Sequence, residues 1–472
     1  MASARDVLLL GLDFGSTTSS LLLASARLEA GGAGGRSALG TPVVRFQPDP
    51  VFTPYRAEVI DELALAEQID AWLAPAGVGP EELFATGCLV TGLAASRSNA
   101  AAIAALVERR FGEGVIARAD DPCLESWLAF LGSCEWLSRA EPARAVLNLD
   151  IGGGTTNPAL GRGGAVLATG SCFVGARHFR FAPGSYRLAG LSAWGERLAG
   201  ALEVDARPGE EMPEAARSRV LDAFISALEA MASGAQDFFA TPPGSLLAQV
   251  PFTPGTLPAD TVLAFSGGVG ELVYRLAAGE AVPGTTHYGD LGIDLARRIV
   301  ASPRLSRHLR SHVPEHRGRA TVYGITLHAT EVSGTSVHLP DAAWLPLRDL
   351  PVVARIGPGS TPAELAAAAS LAARRPAGAC LQLVDDAGLG RDALRHFSAR
   401  LAAAFSALPS TQPVVLLCAG NHGKTLGSYA SDWGRRGPRL IVIDELPDRR
   451  AHFCNLGRPR HGVVPVSFYG VG

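Results

Sequence analysis

Two short segments of the sequence combine an aspartate, a glycine-rich turn and hydroxyl side chains. The first is DFGSTT at residues 13–18, and the second is DIGGGTT at residues 150–156. Each aspartate ends an apolar stretch that predicts a buried strand, and a second strand is predicted after each turn. Glycines let backbone amides come close to an anion, and serine and threonine hydroxyls add donors. This pattern is typical of a phosphate-binding turn.

An aspartate beside such a turn would repel a phosphate, but it can bind a hydrated Mg²⁺ ion that bridges phosphate groups. Two such turns facing each other would hold one polyphosphate from both sides. We therefore predict that Asp13 and Asp150 bind Mg²⁺ and serve in catalysis. The predicted phosphate-binding residues are Gly15, Ser16, Thr17, Thr18, Gly152, Gly153, Gly154 and Thr155.

A third glycine turn, SGGVG at residues 266–270, follows a strand predicted at 261–265 and precedes a predicted helix. A β-hairpin with a glycine turn would explain one of the first two segments alone, but two copies and this third turn favour nucleotide binding. The residues predicted to contact the nucleoside are Ser266, Gly267, Gly268 and Glu271.

Length and composition exclude several classes of protein. The 472 residues, 47% of them hydrophobic and 18% charged, indicate a folded chain of about three domains. A net charge of -3 argues against a broad nucleic-acid interface. No apolar run reaches the roughly 18 residues of a transmembrane helix. Seven scattered cysteines without a CxxC pair indicate reduced thiols in a cytosol-like compartment.

Hydrophobic periodicity predicts an α/β protein with further strands at 83–91 and 320–324 and helices at 58–73 and 290–300. Beyond about residue 331 the pattern changes. The strands predicted there alternate with helices and indicate a small appended α/β domain. They are placed at 379–384, 414–417 and 440–443.

Together the three glycine turns resemble those of the actin/Hsp70/sugar-kinase superfamily of ATPases. The resemblance implies an α/β, actin-like ATPase fold, in which two ribonuclease-H-like domains enclose a nucleotide cleft, here with the small C-terminal α/β domain added. It also implies ATP and Mg²⁺ as cofactors. The expected divisions are a first subdomain at 1–145, a second at 146–335 whose last strand and helix can return to the first, and a C-terminal domain at 336–472.

Other segments, spread over nearly the full length, are similar in order and spacing to the ethanolamine ammonia-lyase reactivating factors, the EutA family. They are TG at 91–92, SRSNA at 96–100, LNLDIGGGTTN at 147–157, RATVYG at 319–324, GTS at 334–336, LPLRDLP at 345–351, GKTLG at 423–427 and IDE at 443–445. The resemblance implies a slow ATPase that acts as a chaperone on ethanolamine ammonia-lyase. With ATP and Mg²⁺, it releases damaged cobalamin so that intact adenosylcobalamin can bind. A cytoplasmic location follows, compatible with association with a bacterial microcompartment.

One departure from the family pattern concerns ATP hydrolysis. Family members carry an acid directly after the Thr-Gly that matches residues 91–92, whereas this chain has Leu93. Asp121, just before a predicted helix, is the candidate for a catalytic acid that orients water, and Glu125 is the alternative. The helix dipole alone also favours acids at that position.

Two alternative functions remain open from the sequence. A degenerate, non-hydrolysing member would bind the lyase as a nucleotide-binding adaptor, and Leu93 favours this reading. A sugar-kinase-like phosphotransferase of the same superfamily would need an acceptor-side base and a sugar pocket, and the sequence identifies neither.

The composition also singles out one residue of the C-terminal domain. Lys424 is the only lysine in the sequence, and every other residue counted as lysine or arginine is an arginine. A GC-rich genome explains that bias, so an ammonium kept in the turn GKTLG suggests that an arginine fork does not fit there. Our hypothesis is that Lys424 contacts the partner or couples this domain to the cleft.

Overall fold

The structure is a computed structural model that describes residues 4–29, 37–56, 59–90, 100–111, 122–328, 330–334, 336–386, 389–447 and 451–471. Among these residues no helix is both long enough and apolar enough to span a membrane. Short 3-10 helices lie at Ala74–Ala76, Pro80–Glu82, Ala176–His178, Gln236–Ala240, Arg317–Arg319 and Ala342–Trp344.

The N-terminal part forms a sheet around one long buried strand. The strands of this sheet are β1 Arg5–Phe14, β2 Thr18–Glu29, β3 Ala38–Leu39, β4 Val43–Phe46, β5 Val51–Phe52 and β8 Leu83–Val90. The strands β6 Tyr55–Arg56 and β7 Val59–Ile60 pair with each other, and the helices are α1 Glu62–Leu73 and α2 Ala100–Phe111. β1 is antiparallel to β2 and parallel to β8. Its apolar run is buried on both faces, as expected of a central strand.

The middle part repeats this arrangement in a second sheet. Its elements are α3 Pro122–Ser133, α4 Glu135–Ala140, β9 Ala145–Ile151, β10 Thr156–Arg162, β11 Ala165–Thr169, β12 Ser171–Cys172, β13 Phe179–Phe181, β14 Leu188–Leu191, α5 Ala193–Ala201, α6 Glu214–Ser233, α7 Pro242–Leu247, β15 Ala248–Val250, β16 Val262–Ser266, α8 Gly267–Ala277 and α9 Gly292–Ala301. β9 is antiparallel to β10 and parallel to β16. The repeated motif in the sequence is therefore matched by a repeated strand topology.

Helix α10, Ala320–Leu327, corrects the prediction of a strand at 320–324. It packs against α3 and against β1 of the first sheet. Two glycines allow the helices to cross closely. A Cβ atom added at Gly132 would lie 2.0 Å from the Ala320 carbonyl oxygen, and one at Gly324 would lie 2.1 Å from that of Leu128. The buried environment imposes a helix on residues that locally favour a strand.

The C-terminal part is an α/β unit, as predicted. Its elements are β17 Thr330–Val332, β18 Leu347–Ile356, α11 Pro362–Ala373, β19 Ala379–Leu383, α12 Arg391–Phe405, β20 Pro413–Leu417, α13 Gly423–Ala430, β21 Arg439–Ile443, β22 Ala451–Leu456 and β23 Pro465–Val471. The sheet order is β17-β23-β22-β18-β19-β20-β21, with β18 to β21 parallel. β17 lies before the predicted boundary at 335, yet it joins this sheet.

Candidate functional site

The two predicted phosphate turns face each other across a cleft of about 1090 Å³. A Cβ atom added at Gly153 would lie 2.6 Å from Thr17 Oγ1, so the turns approach each other directly. The predicted residues that line the cleft are Asp13, Gly15, Ser16, Thr17, Thr18, Asp150, Gly152, Gly153, Gly154, Thr155, Gly267, Gly268 and Glu271.

The two turns have the same hairpin geometry. The Gly15 amide donates to the Thr18 carbonyl at 2.9 Å, and the Gly152 amide donates to the Thr155 carbonyl at 2.9 Å. Each aspartate stands two residues before the first glycine, at the same position of its hairpin. The predicted internal repeat is therefore a repeat of backbone structure as well as of residue type.

Thr53, directly after β5, anchors the first turn. Its amide donates to the Thr17 carbonyl at 3.0 Å, and its hydroxyl donates to the Gly15 carbonyl at 2.7 Å. The C=O and N–H of a trans peptide point in opposite directions. Because the Gly15 and Thr17 carbonyls point toward Thr53, the amides of Ser16 and Thr18 point away from it.

The 3-10 helix Ala176–His178 anchors the second turn. The Ala176 amide donates to the Gly152 carbonyl at 3.2 Å, and the Arg177 amide donates to the Gly153 carbonyl at 2.6 Å. The His178 ring nitrogen Nε2 lies 2.8 Å from the Gly154 carbonyl oxygen. This helix was missed in the sequence, because no local pattern connects it with a turn more than 20 residues away.

Asp13 is held from a distant part of the chain. The Thr321 hydroxyl, in the first turn of α10, donates to Asp13 Oδ2 at 2.5 Å. The first carboxylate of the cleft is therefore tied to the helix that crosses α3.

Asp150 is held from its own sheet. The Ser266 hydroxyl donates to Asp150 Oδ1 at 2.5 Å, and the Asn148 amide donates to Ser266 Oγ at 2.8 Å. Burial raises the pKa of Asp150 to about 7. The hydrogen bond from Ser266 lowers this pKa, and the charge of Asp13 raises it further. Neighbouring carboxylates that disfavour each other's charge are suited to share a cation.

Ser266 takes a different place from the one predicted. Its side chain is fully buried behind Asp150 and does not line the cleft, so it supports a carboxylate and is not placed to contact a nucleoside. The parallel register explains this, since Ser266 on β16 lies opposite Asp150 on β9.

The third glycine turn forms another wall of the cleft. Gly267 has φ +81°, and a Cβ atom there would lie 2.5 Å from the Ile151 carbonyl oxygen, so only glycine fits. Glu271 pairs with Arg317, with Nε and Oε2 3.1 Å apart. The sequence reasoning missed Arg317, which comes from a segment without a recognisable motif.

Two residues from the prediction of hydrolysis, Leu93 and Asp121, lie outside the described residues. Glu125, the alternative to Asp121, lines the cleft. Within the described part of the chain, no three His, Cys, Asp or Glu side chains are grouped to hold a metal ion. The two carboxylates Asp13 and Asp150 fit a hydrated ion whose coordination is completed by phosphate oxygens.

Comparison with known proteins gives the family. The family model of the ethanolamine utilisation protein EutA matches residues 5–469. The chain belongs to the EutA family. It is 30% identical over 497 residues to the ethanolamine ammonia-lyase reactivase EutA of Salmonella typhimurium, and 28% identical over 499 residues to that of Escherichia coli, with 98% of each chain covered in both comparisons.

Among solved structures, this EutA family member is similar to a Ppx/GppA family member from Aquifex aeolicus, with 14% identity, a TM-score of 0.33, and 68% of this chain and 89% of that chain covered. It is also similar to the ethanolamine utilization protein EutJ from Carboxydothermus hydrogenoformans, with 15% identity, a TM-score of 0.29, and 68% and 89% covered. The predicted family is confirmed. The paired sheets and the cleft lined from both confirm the predicted α/β fold with two similar sheets around one cleft.

Proposed function

We propose that this protein is an ATP-dependent reactivase of ethanolamine ammonia-lyase. One structural observation carries the proposal: two equivalent glycine turns, each with an aspartate, face each other in one cleft. The named relatives, which match over 98% of this chain, support the lyase as the partner.

ATP and Mg²⁺ are the proposed cofactors. Asp13 and Asp150 would hold hydrated Mg²⁺, the turns at 15–18 and 152–155 would hold the phosphates, and Gly267, Gly268 and Glu271 would lie along the nucleoside. Mg²⁺ would supply charge neutralisation at the phosphate oxygens. Asp121 and Glu125 stay candidates for orienting the attacking water.

The chain's own residues suggest how the nucleotide state would reach the lyase. Thr321 ties Asp13 to α10, and α10 crosses α3 at two glycines, so a change at the phosphates is transmitted to the helices that join the two sheets. A nucleotide that binds one relative position of the sheets better than another shifts their population. We propose that this shift acts on the lyase and releases damaged cobalamin.

The remaining assignments belong to the same proposal. They are subdomains at 1–145 and 146–335, a C-terminal domain at 336–472, and a cytoplasmic location that is compatible with a bacterial microcompartment. We expect neither a nucleic-acid partner nor a membrane span.

Leu93 supports a second candidate, a non-hydrolysing adaptor that binds nucleotide and lyase. Both candidates predict ATP binding, and only the reactivase predicts that ATP is consumed. Measurable ATP turnover that Asp13→Ala or Asp150→Ala abolishes would exclude the adaptor.

The test of the proposed function uses ethanolamine ammonia-lyase inactivated with cyanocobalamin. We expect the purified protein to restore lyase activity when ATP, Mg²⁺ and fresh adenosylcobalamin are all present, and to fail when ATP or Mg²⁺ is left out. No recovery in the complete mixture would overturn the proposal.

A further inference from the structure

One buried histidine contacts the second phosphate turn from the side opposite the cleft. His178 is 1% exposed, and its two ring nitrogens both lie at hydrogen-bond distance. Nε2 lies 2.8 Å from the Gly154 carbonyl oxygen, and Nδ1 lies 2.7 Å from Ser192 Oγ.

The partners of the ring determine where its proton lies. A carbonyl oxygen can only accept, so Nε2 carries the hydrogen and donates to Gly154. Burial lowers the pKa of His178 to about 4, although the Gly154 and Phe173 carbonyls raise it. The ring is therefore neutral near pH 7. Nδ1 is then an acceptor, and the Ser192 hydroxyl donates to it.

Ser192 in turn is fixed by a helix. It is the N-cap of α5, and its Oγ accepts the Gly195 amide at 3.0 Å. The chain of hydrogen bonds therefore runs from the start of α5 through the imidazole to the Gly154 carbonyl, with a single direction throughout.

The consequence for the turn follows from peptide geometry. The carbonyls of Gly152, Gly153 and Gly154 are all held by residues 176–178. In trans peptides the amides that follow them, those of Gly153, Gly154 and Thr155, must point the other way. No protein acceptor for these three amides is found among the described residues. Three successive free amides on a turn that lines the cleft form an anion-binding nest.

We propose that His178 is a positioning residue for polyphosphate binding, which holds the Gly154 peptide so that the Thr155 amide points at the phosphates. This inference rests on the proposed function, because it takes ATP as the occupant of the cleft. It concerns the phosphates, since the ring of His178 pairs with Gly154 of the second phosphate turn and with Ser192.

The test compares ATP·Mg²⁺ with adenosine, each titrated calorimetrically into the full-length protein. His178→Leu keeps most of the buried volume and removes both hydrogen bonds. We expect the Kd for ATP·Mg²⁺ to rise about tenfold, as for one lost directed hydrogen bond, and the Kd for adenosine to stay unchanged. His178→Gln restores a donor near the Nε2 position and should bring ATP·Mg²⁺ binding back to within about threefold of the native protein.

His338→Leu is the matched control. His338 is also buried, burial also lowers its pKa to about 4, and its Nε2 also pairs with a serine, Ser431, at 3.2 Å. It belongs to the C-terminal sheet region, so its loss should leave both affinities unchanged.

Several results would overturn the inference. These are unchanged ATP·Mg²⁺ binding in His178→Leu, an equal loss of ATP·Mg²⁺ and adenosine binding, or no rescue by His178→Gln. If His178→Leu does not fold, Ser192→Ala decides, because it removes the donor to Nδ1 and should weaken ATP·Mg²⁺ binding alone by about threefold. If the native protein does not bind ATP·Mg²⁺ at all, the proposed function itself fails.

Discussion

The two phosphate turns share a backbone plan but differ in what supports them. Thr53, directly after β5, anchors the first, and Thr321 of α10 holds its aspartate. The second is backed by a 3-10 helix with a buried histidine, and Ser266 of the same sheet holds its aspartate. Asp13 of the first turn is therefore bonded to α10, the helix that crosses α3, whereas Asp150 of the second turn is bonded to a strand of its own sheet.

In the proposed reactivase, this difference would separate two tasks of one nucleotide site. The second turn would bind the phosphates in a constant geometry. The first turn would signal their presence to the rest of the molecule, because a shift of Asp13 disturbs its bond to α10. Four experiments can break or sharpen this comparison.

The largest effect is expected where the turns are alike. Asp13→Asn and Asp150→Asn each remove a carboxylate charge without changing shape, and each should lower Mg²⁺-dependent ATP turnover at least about 100-fold, or about 2.7 kcal/mol. Asp49→Asn is the control, since Asp49 also lines the cleft but is exposed. A turnover rate that survives either substitution would remove that aspartate from the metal site.

The crossing of α3 and α10 should be the next most sensitive feature. Gly132→Ala places a Cβ atom against the Ala320 backbone, and we expect the free energy of unfolding to fall by about 2 kcal/mol. Gly200→Ala, in a helix position with nothing within 4 Å of the new atom, should instead be neutral or slightly stabilising. Urea denaturation measures both. Equal stability of the two variants would mean that the crossing is not tightly packed.

The two aspartate supports can be compared directly. Thr321→Val and Ser266→Ala each remove one hydroxyl bond to a carboxylate, and each should weaken ATP·Mg²⁺ binding about fivefold. Only Thr321→Val should also weaken the coupling between ATP binding and lyase reactivation. Thr326→Val is the control on α10, because the Thr326 hydroxyl donates to the Val322 carbonyl of the same helix. If both variants lose coupling equally, the distinction between the turns is wrong.

The smallest effect is expected at the scarce lysine. Lys424 is exposed at the second residue of α13, outside the cleft. Lys424→Arg should leave ATP·Mg²⁺ binding unchanged and lower the rate of lyase reactivation about twofold, because an arginine fork does not replace a compact ammonium. An unchanged reactivation rate would make the retained lysine a coincidence.

The parts of the site that could be predicted are those encoded locally. Glycine, hydroxyl residues and a strand-ending aspartate follow one another in sequence, so both turns are visible in a window of seven residues. The turn SGGVG predicts that Ser266 touches the nucleoside together with its glycine neighbours, and those glycines do line the cleft. Only the register of β16 against β9 shows that its side chain points to Asp150.

The parts that could not be predicted depend on partners far along the chain. The segment TVYGITL combines β-branched and aromatic residues, and only its burial between α3 and β1 makes it helical. His178 stands 24 residues from the carbonyl that it holds, and nothing in its neighbours marks it. Both features belong to the tertiary structure, which residue patterns do not specify.

The position of β17 links the helix beside the cleft to the C-terminal sheet. α10 ends at Leu327 and β17 begins at Thr330, at the edge of the C-terminal sheet. Only two residues separate them in the sequence, which limits the distance from the end of the helix to the start of the strand to about 10 Å. We therefore expect a displacement of Asp13 to move α10 through the Thr321 hydroxyl and, through this short connection, the edge strand of the C-terminal sheet as well.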